Sequence, residues 1–231
     1  MLNELVARLQ AEIDPDHAEQ VAKYFGVFPG GYGDGDIILG IPVPTVRKIC
    51  QDYKQLPVKD ALTLLESDCH DFRFAALVIL SAKATKQPHQ IYQLILNDIK
   101  HVNNWDLVDV FMPKIIGQHC LENHDESILH HFNRTDDLWL QRISVVSYLA
   151  FYRKGVMGDG LEMVNNLIET PQPLIQKANG WMLREIYSKV DKRVVESYLI
   201  DNYRRIPRTS LRYAIEHMPA AEHERYLKGE F

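Results

Sequence analysis

The sequence is poor in the residues that build disulfide frameworks and zinc sites. Only three cysteines occur in 231 residues, namely Cys50, Cys69 and Cys120, and none forms a C-x-x-C pair. An odd count without such a pair argues against a disulfide framework and indicates buried thiols in a reducing cytoplasm. Because H-E-x-x-H and zinc-type Cys/His spacings are also missing, we expect no metal and no cofactor.

Long uncharged apolar runs are missing too. The first residues, MLNELVARLQAEID, carry charge from Glu4 onward, which is not typical of a secretory signal. The most apolar stretches, such as Phe74 to Ala82, are far too short to cross a bilayer. We therefore expect a cytoplasmic protein that does not associate with membranes.

Glycine is concentrated in one segment, which reads GVFPGGYGDGDIILG over residues 26–40. It lacks the spacing and the lysine of a nucleotide-binding P-loop. Asp34 and Asp36 suggest calcium, but the glutamate that closes a calcium loop is absent. We predict an ordered connection between the first and second helix pairs, in which Ile37, Ile38 and Leu39 could be extended.

Positive charge is scarce in the first part of the chain. The formal net charge is −5, which does not favour a nucleic-acid partner. Residues 1–133 hold 11 Lys/Arg against 18 Asp/Glu, whereas residues 134–231 hold 15 against 13. Because charges can be distributed unevenly over the surface of a folded protein, one basic face is compatible with this net charge.

Helical periodicity dominates what is present. Apolar residues recur at i, i+3, i+4 and i+7, as in Phe72, Ala75, Ala76 and Ile79, and convincing alternating strands are absent. Prolines fall near the expected helix starts, where Asp14 before Pro15 and Thr170 before Pro171 are predicted N-caps. The pattern predicts an all-α fold.

An internal repeat follows the basic residues that open similar helical stretches. These residues are Arg73, Arg142, Lys177 and Arg212, separated by 69, 35 and 35 positions, and a missing unit would fall near residue 107. A period near 35 suits stacked helix pairs. We predict a single domain over 1–231, an α-solenoid superhelix of HEAT-like helix pairs with a concave groove; the alternative is an irregular helical bundle.

Tryptophan is rare, and each of the three has a charged residue one turn further along its helix. The pairs are Trp105 with Asp109, Trp139 with Arg142, and Trp181 with Arg184, with Lys177 a turn before Trp181. Aromatic faces, a phosphate-gripping arginine and one carboxylate would suit a cationic nucleoside in a nucleic-acid strand. Alternatively, the tryptophans belong to the core and Arg142 pairs with Asp136 or Asp137.

Six blocks spread over nearly the whole chain resemble the DNA alkylation repair glycosylases of the AlkD type, which are built from HEAT-like repeats. The most specific are NNWDLVDV (103–110), LWLQRISVV (138–146) and QKANGWMLRE (176–185), in that order. The others are residues 24–49, 72–80 and 206–219. The Gly-rich segment and the PRTSLRYAIE block set the chain apart from the best-understood members.

The resemblance implies hydrolysis of the N-glycosidic bond of N3- or N7-alkylated purines in double-stranded DNA, by a monomer without a cofactor. It assigns Asp109 as the catalytic carboxylate, Trp105 and Trp181 as the aromatic pair at the lesion, and Arg142 as a backbone contact. Tyr24 matches a further groove tyrosine. Besides these, Lys177, Arg184 and Arg212 are predicted DNA contacts. The alternative is a non-catalytic HEAT-like scaffold that binds DNA or protein, which the acidic first half favours.

Overall fold

The fold is all-α, as the periodicity predicts. The computed structural model describes all residues from 1 to 231, which form sixteen α-helices joined by short connections. Extended pairing is limited to one isolated parallel bridge between Ile37 and Cys69. No helix is both long enough and apolar enough to span a membrane.

The helices pack as two compact units, Met1–Ile115 and Ile116–Phe231. Each unit stacks its helices in the HEAT-like manner that the sequence predicts. That residues 1–231 form a single domain stays a prediction.

In the first unit, one long helix is the centre of the packing. Helix α5 contacts α3, α4, α6 and α7, and it buries an almost continuous apolar face around Phe74, Leu77 and Leu80. The elements of this unit are α1 (Leu2–Gln10), α2 (Pro15–Tyr24), α3 (Val43–Asp52), α4 (Val58–Leu65), α5 (His70–Ala84), α6 (Pro88–Asn97), a 3-10 turn (Ile99–His101) and α7 (Trp105–Met112).

In the second unit, three helices pack in succession, α10 on α13 and α13 on α15. They carry Arg142, Lys177 and Arg212, so the 35-residue period of the sequence is confirmed here. A π-helical turn (Pro113–Gly117) leads into the unit. The helices of the second unit are α8 (Gln118–Asn123), α9 (Ser127–Asn133), α10 (Leu138–Val146), α11 (Leu149–Tyr152), α12 (Gly160–Asn166), α13 (Pro173–Lys189), α14 (Lys192–Asp201), α15 (Arg208–Ala214) and α16 (Ala220–Lys228).

Of the two predicted N-caps, one is confirmed and one is wrong. Asp14 caps α2, because its carboxylate accepts the N–H of His17 at 3.0 Å. Thr170 lies outside α13, which begins at Pro173 with Gln172 as its N-cap. The Thr170 hydroxyl instead accepts the Gln172 N–H at 3.3 Å, so it stabilises the turn before the helix.

The three cysteines are buried free thiols, as predicted. Burial raises the pKa of Cys69 to about 11 and that of Cys50 to about 12. Since the thiolate is the reactive form, these side chains act as small apolar core residues.

Candidate functional site

Helix α7 carries two of the predicted site residues. Asn104 begins it, accepting the N–H of Trp105 at 2.9 Å through its side-chain oxygen. Trp105 and Asp109 follow one turn apart on the same face, and both are half-buried. Because Pro113 has no N–H for the carbonyl of Asp109, the α-helix ends there and continues as the π-helical turn.

The Trp105 ring is held against the end of α2, where the sequence places the predicted groove tyrosine. Its indole Nε1 donates to the backbone oxygen of Tyr24 at 3.3 Å, and the Tyr32 hydroxyl donates to the same oxygen at 2.5 Å. The ring of Phe25 lies 5.5 Å from that of Trp105. Tyr24 itself is 74% exposed, so its side chain is open to a ligand.

The Gly-rich segment folds tightly back onto this point. The N–H of Gly33 donates to Gly26 at 3.1 Å, and a Cβ atom at Gly33 would lie 2.3 Å from the carbonyl oxygen of Phe25. Only glycine allows such an approach. That same oxygen accepts the side-chain amide of Asn104 at 3.2 Å, so the segment and the start of α7 share one anchor.

Behind α7 lies a buried group of four charged side chains. His70 Nε2 lies 2.9 Å from Asp106 Oδ2, and His70 Nδ1 lies 3.8 Å from Asp36 Oδ2. Arg73 donates to the same Asp36 oxygen at 2.5 Å and to the carbonyl of Ser67 at 2.9 Å. None of the four side chains is more than 9% exposed, so water screens these charges little.

This arrangement favours the protonated form of His70. Burial alone acts to lower the pKa of His70, but the hydrogen bond with Asp106 and the nearby carboxylate of Asp36 outweigh it and raise the pKa to about 9. Asp36 is affected in the opposite sense. Burial acts to raise the pKa of its carboxyl group, and the contacts with His70 and Arg73 lower it below its ordinary value.

In the second unit, Trp181 lies half-buried in the middle of α13. Its indole donates to the Glu185 carboxylate at 3.1 Å, and Lys189 contacts the same side chain at 2.5 Å. Burial acts to raise the pKa of Glu185, but the hydrogen bonds from Lys189 and Trp181 lower it. Trp181 is therefore oriented by side chains, whereas Trp105 is oriented by backbone.

Arg142 is only 5% exposed, and its guanidinium donates to the carbonyl oxygen of Leu174 in the first turn of α13. This contact ties α10 to α13 inside the second unit. Asp137, one of the two suggested partners of Arg142, is the N-cap of α10 and accepts the N–H groups of Trp139 and Leu140 at 2.8 Å. The assignment of Arg142 to the DNA backbone stays a prediction.

The other predicted cations of the second unit fall into two kinds. Lys177 and Arg212 are exposed, so they can meet a phosphate without breaking a buried contact. Arg184 is half-buried and forms an ion pair with Glu216. A DNA contact by Arg184 would therefore compete with that ion pair.

Comparison with known proteins decides the family. The sequence model of the DNA alkylation repair enzyme family matches residues 5–218. The chain belongs to this family. A solved structure described as a predicted DNA alkylation repair enzyme from Enterococcus faecalis shares the fold, with a TM-score of 0.69 and 16% identity over 90% of this chain and 98% of the other. No curated protein gives a match.

Sequence reasoning missed the residues that support this family member's α7, namely His70, Asp106 and Asn104. A signal was present, since His70, Asp71 and Arg73 place three charged or polar groups just before the apolar run FAALVIL. Charged side chains that are buried at the end of an apolar helix need partners of opposite charge. Such a group of residues therefore predicts a buried ion-pair network. The network contains no group of three or more ligands arranged for a metal ion.

Proposed function

We propose that this protein is a DNA glycosylase that hydrolyses the N-glycosidic bond of cationic N3- or N7-alkylated purines in double-stranded DNA. The observation that carries the proposal is the pairing of Trp105 with Asp109 on one half-exposed face of α7, in a chain of the DNA alkylation repair enzyme family. An aromatic ring and a carboxylate one turn apart can receive the two parts of such a nucleotide.

The reaction requires few catalytic groups from the protein. When the bond between C1′ and the base nitrogen breaks, the electron pair leaves with the alkylated base and neutralises its charge. The sugar becomes an oxocarbenium-like cation, which the Asp109 carboxylate would stabilise until water adds to C1′ and loses a proton. No acid is needed to protonate the leaving base, which agrees with a site whose assigned residues include none.

The aromatic side chains would hold the nucleotide. A cationic purine is attracted to the face of an indole ring, and the sugar packs on the same surface. Tyr24 is available for such packing because the residue is 74% exposed. Trp105 is pre-oriented by its bond to the Tyr24 carbonyl, so little side-chain freedom is lost on binding.

The second unit would contribute contacts to the DNA backbone. Lys177 and Arg212 are exposed and suit phosphate oxygens, and Trp181 supplies a further half-exposed indole. We assign these three residues to DNA binding, and we expect a cytoplasmic monomer that uses no cofactor.

The deciding experiment compares base release by wild type and Asp109→Asn. DNA carrying 7-methylguanine is incubated with excess enzyme, and the free base is measured by chromatography. Because the amide keeps the shape but loses the negative charge, the rate should fall by at least about a hundredfold. Asp60→Asn is the matched control, since Asp60 is also a half-buried carboxylate on a helix of the first unit.

Two outcomes would contradict the proposal. Equal release by Asp109→Asn and wild type would remove Asp109 from its role. A wild type that binds alkylated DNA but releases no base from 7-methylguanine or 3-methyladenine lesions would support the non-catalytic scaffold, which the net charge of −5 and the buried Arg142 favour.

A further inference from the structure

The Gly-rich segment has no part in the proposed chemistry, yet His70 links it to α7, the helix that carries Trp105 and Asp109. The N–H of His70 donates to the carbonyl of Ile37 at 2.9 Å, and the N–H of Ile37 donates to Asp68 at 3.0 Å. The ring of His70 then lies between Asp36 of the segment and Asp106 of α7. His70 is thus the point where the segment, α5 and α7 meet.

Within the group formed by Asp36, His70, Arg73 and Asp106, the charges balance only when the His70 ring is protonated. Two carboxylates, Asp36 and Asp106, face one permanent cation, Arg73. With an imidazolium the group is neutral, and with a neutral ring it holds one excess negative charge in a buried place. An uncompensated buried charge is strongly unfavourable, so the network depends on the proton.

Asp71, the other buried carboxylate next to His70, is compensated by backbone N–H groups and not by a charged side chain. Asp71 is 6% exposed, and its carboxylate accepts the N–H groups of Leu39 and Ile41 at 2.8 and 3.0 Å. Backbone amides therefore satisfy Asp71 whether or not His70 carries a proton. They also bind the end of the Gly-rich segment to α5.

Loss of the proton also changes the contacts of the ring. A neutral imidazole has a single N–H, so one ring nitrogen then turns a lone pair toward a carboxylate, either Asp106 at 2.9 Å or Asp36 at 3.8 Å. Asp106 lies in the first turn of α7, directly after Trp105, and its other oxygen accepts the N–H of Leu107 at 2.8 Å. A change at His70 is therefore passed to the turn that carries the tryptophan.

A second contact leads from His70 to the same tryptophan. The ring of Phe25 lies 4.4 Å from the ring of His70 and 5.5 Å from the ring of Trp105. Phe25 also offers its carbonyl oxygen to Asn104, the N-cap of α7. Backbone, ring and charge contacts thus converge on the start of the catalytic helix from one side.

We propose that protonated His70 is a positioning residue, which holds the first turn of α7 so that Trp105 and Asp109 keep the arrangement required for base release. This inference rests on the proposed function. It also gives the Gly-rich segment a role, because that segment supplies Asp36, the carboxylate that stabilises the His70 charge from the far side.

The first test needs no activity. 5-Fluorotryptophan is incorporated in place of Trp105, Trp139 and Trp181, and the three fluorine resonances are followed by NMR from pH 6 to 10. The Trp105 resonance should shift with a midpoint near 9, the pKa of His70. The other two resonances should not follow this midpoint.

Two variants test whether the midpoint of the Trp105 titration reports the protonation of His70. In His70→Gln the titration of the Trp105 resonance should vanish, and the cavity of about 310 Å³ beside His70 gives the glutamine room. In Asp36→Asn, which keeps His70 and its bond to Asp106, the midpoint should move to lower pH. His130→Gln is the matched control, since His130 also lies between two carboxylates, Asp159 and Glu162.

The second test follows base release against pH under single-turnover conditions, with spontaneous release subtracted. The wild-type rate should fall as pH rises through about 9. That fall should be absent in His70→Gln, shifted to lower pH in Asp36→Asn, and unchanged in His130→Gln. A merely structural histidine would reduce the rate by the same factor at every pH.

The results separate the two proposals. A Trp105 resonance or a rate that titrates identically in His70→Gln and wild type would overturn the positioning role. A wild type that releases no alkylpurine would overturn the proposed function alone. The fluorine titration would then decide by itself whether His70 is linked to Trp105.

Discussion

Each unit of the molecule contains a histidine–aspartate pair of nearly the same length but of very different exposure. In the first unit, His70 and Asp106 are 2.9 Å apart, with side chains 4% and 9% exposed. In the second unit, His130 and Asp159 are 2.8 Å apart, with side chains 21% and 53% exposed. The contact distance does not distinguish them, so any difference in free energy must come from the surroundings.

The surroundings also differ in what the pair supports. The first pair joins α5 to α7, the helix that carries Trp105 and Asp109. The second pair joins α9 to the turn before α12, where Glu126 accepts the N–H of Asp159 at 2.9 Å. A buried pair fixes geometry because breaking it leaves an unpaired charge. A surface pair can open at little cost, since water replaces the partner.

Removal of one partner should give the largest difference between the two pairs. We expect Asp106→Ala to lower the free energy of unfolding by about 3 kcal/mol, because His70 loses the partner that stabilises its charged form and its buried ring loses that hydrogen bond. Asp159→Ala should lower it by about 1 kcal/mol or less. Urea unfolding at pH 7 measures both, and equal losses would mean that burial does not set the strength of these pairs.

The pH dependence of stability should sharpen the comparison. Folding raises the pKa of His70 from 6.5 to about 9. The stabilisation is therefore complete below pH 6.5, declines between pH 6.5 and 9, and is absent above pH 9. It amounts to about 3 kcal/mol at most, from 1.4 kcal/mol per unit of pKa.

This contribution is measured as the difference in unfolding free energy between wild type and His70→Gln, determined every half unit from pH 6 to 10. Subtraction removes the titration of groups that both proteins share. The difference should shrink as pH rises. A difference that stays constant over that range would show that the charge of His70 does not stabilise the fold.

Much of the fold and part of the site could be predicted from the sequence. Helical periodicity and the 35-residue spacing located α10, α13 and α15, and the gap in that spacing fell on α7. The i, i+4 spacing of Trp105 and Asp109 was enough to place them on one face, because that relation lies within a single helix. The family match over residues 5–218 supports the resemblance that these blocks suggested.

The rest could not be predicted, because it depends on contacts between helices far apart in the chain. Asp36 meets His70 across 34 positions, and periodicity carries no information on such a pair. Arg142 was predicted at a DNA backbone, but only the packing of α10 on α13 brings its guanidinium to the Leu174 carbonyl. Likewise, Arg184 and Glu216 are 32 residues apart.

The smallest expected effects concern the exposed charges of the second unit, and they complete the contrast with the buried charges of the first. Lys177→Ala and Arg212→Ala should each weaken binding to double-stranded DNA several-fold at low salt. Each should also reduce the slope of log K against log salt by about 1, because one phosphate contact fewer releases fewer counterions. Arg184→Ala should change the slope less, since Glu216 already neutralises that arginine.

The matched control for these titrations is His70→Gln, which alters a buried charge and should leave the salt slope unchanged. Fluorescence anisotropy with an unmodified duplex at several salt concentrations gives all the slopes, since phosphate contacts carry no sequence preference. Exposed charges of the second unit would then act on DNA affinity, and buried charges of the first on the geometry of α7. A slope that changes in His70→Gln but not in Lys177→Ala or Arg212→Ala would reverse this division.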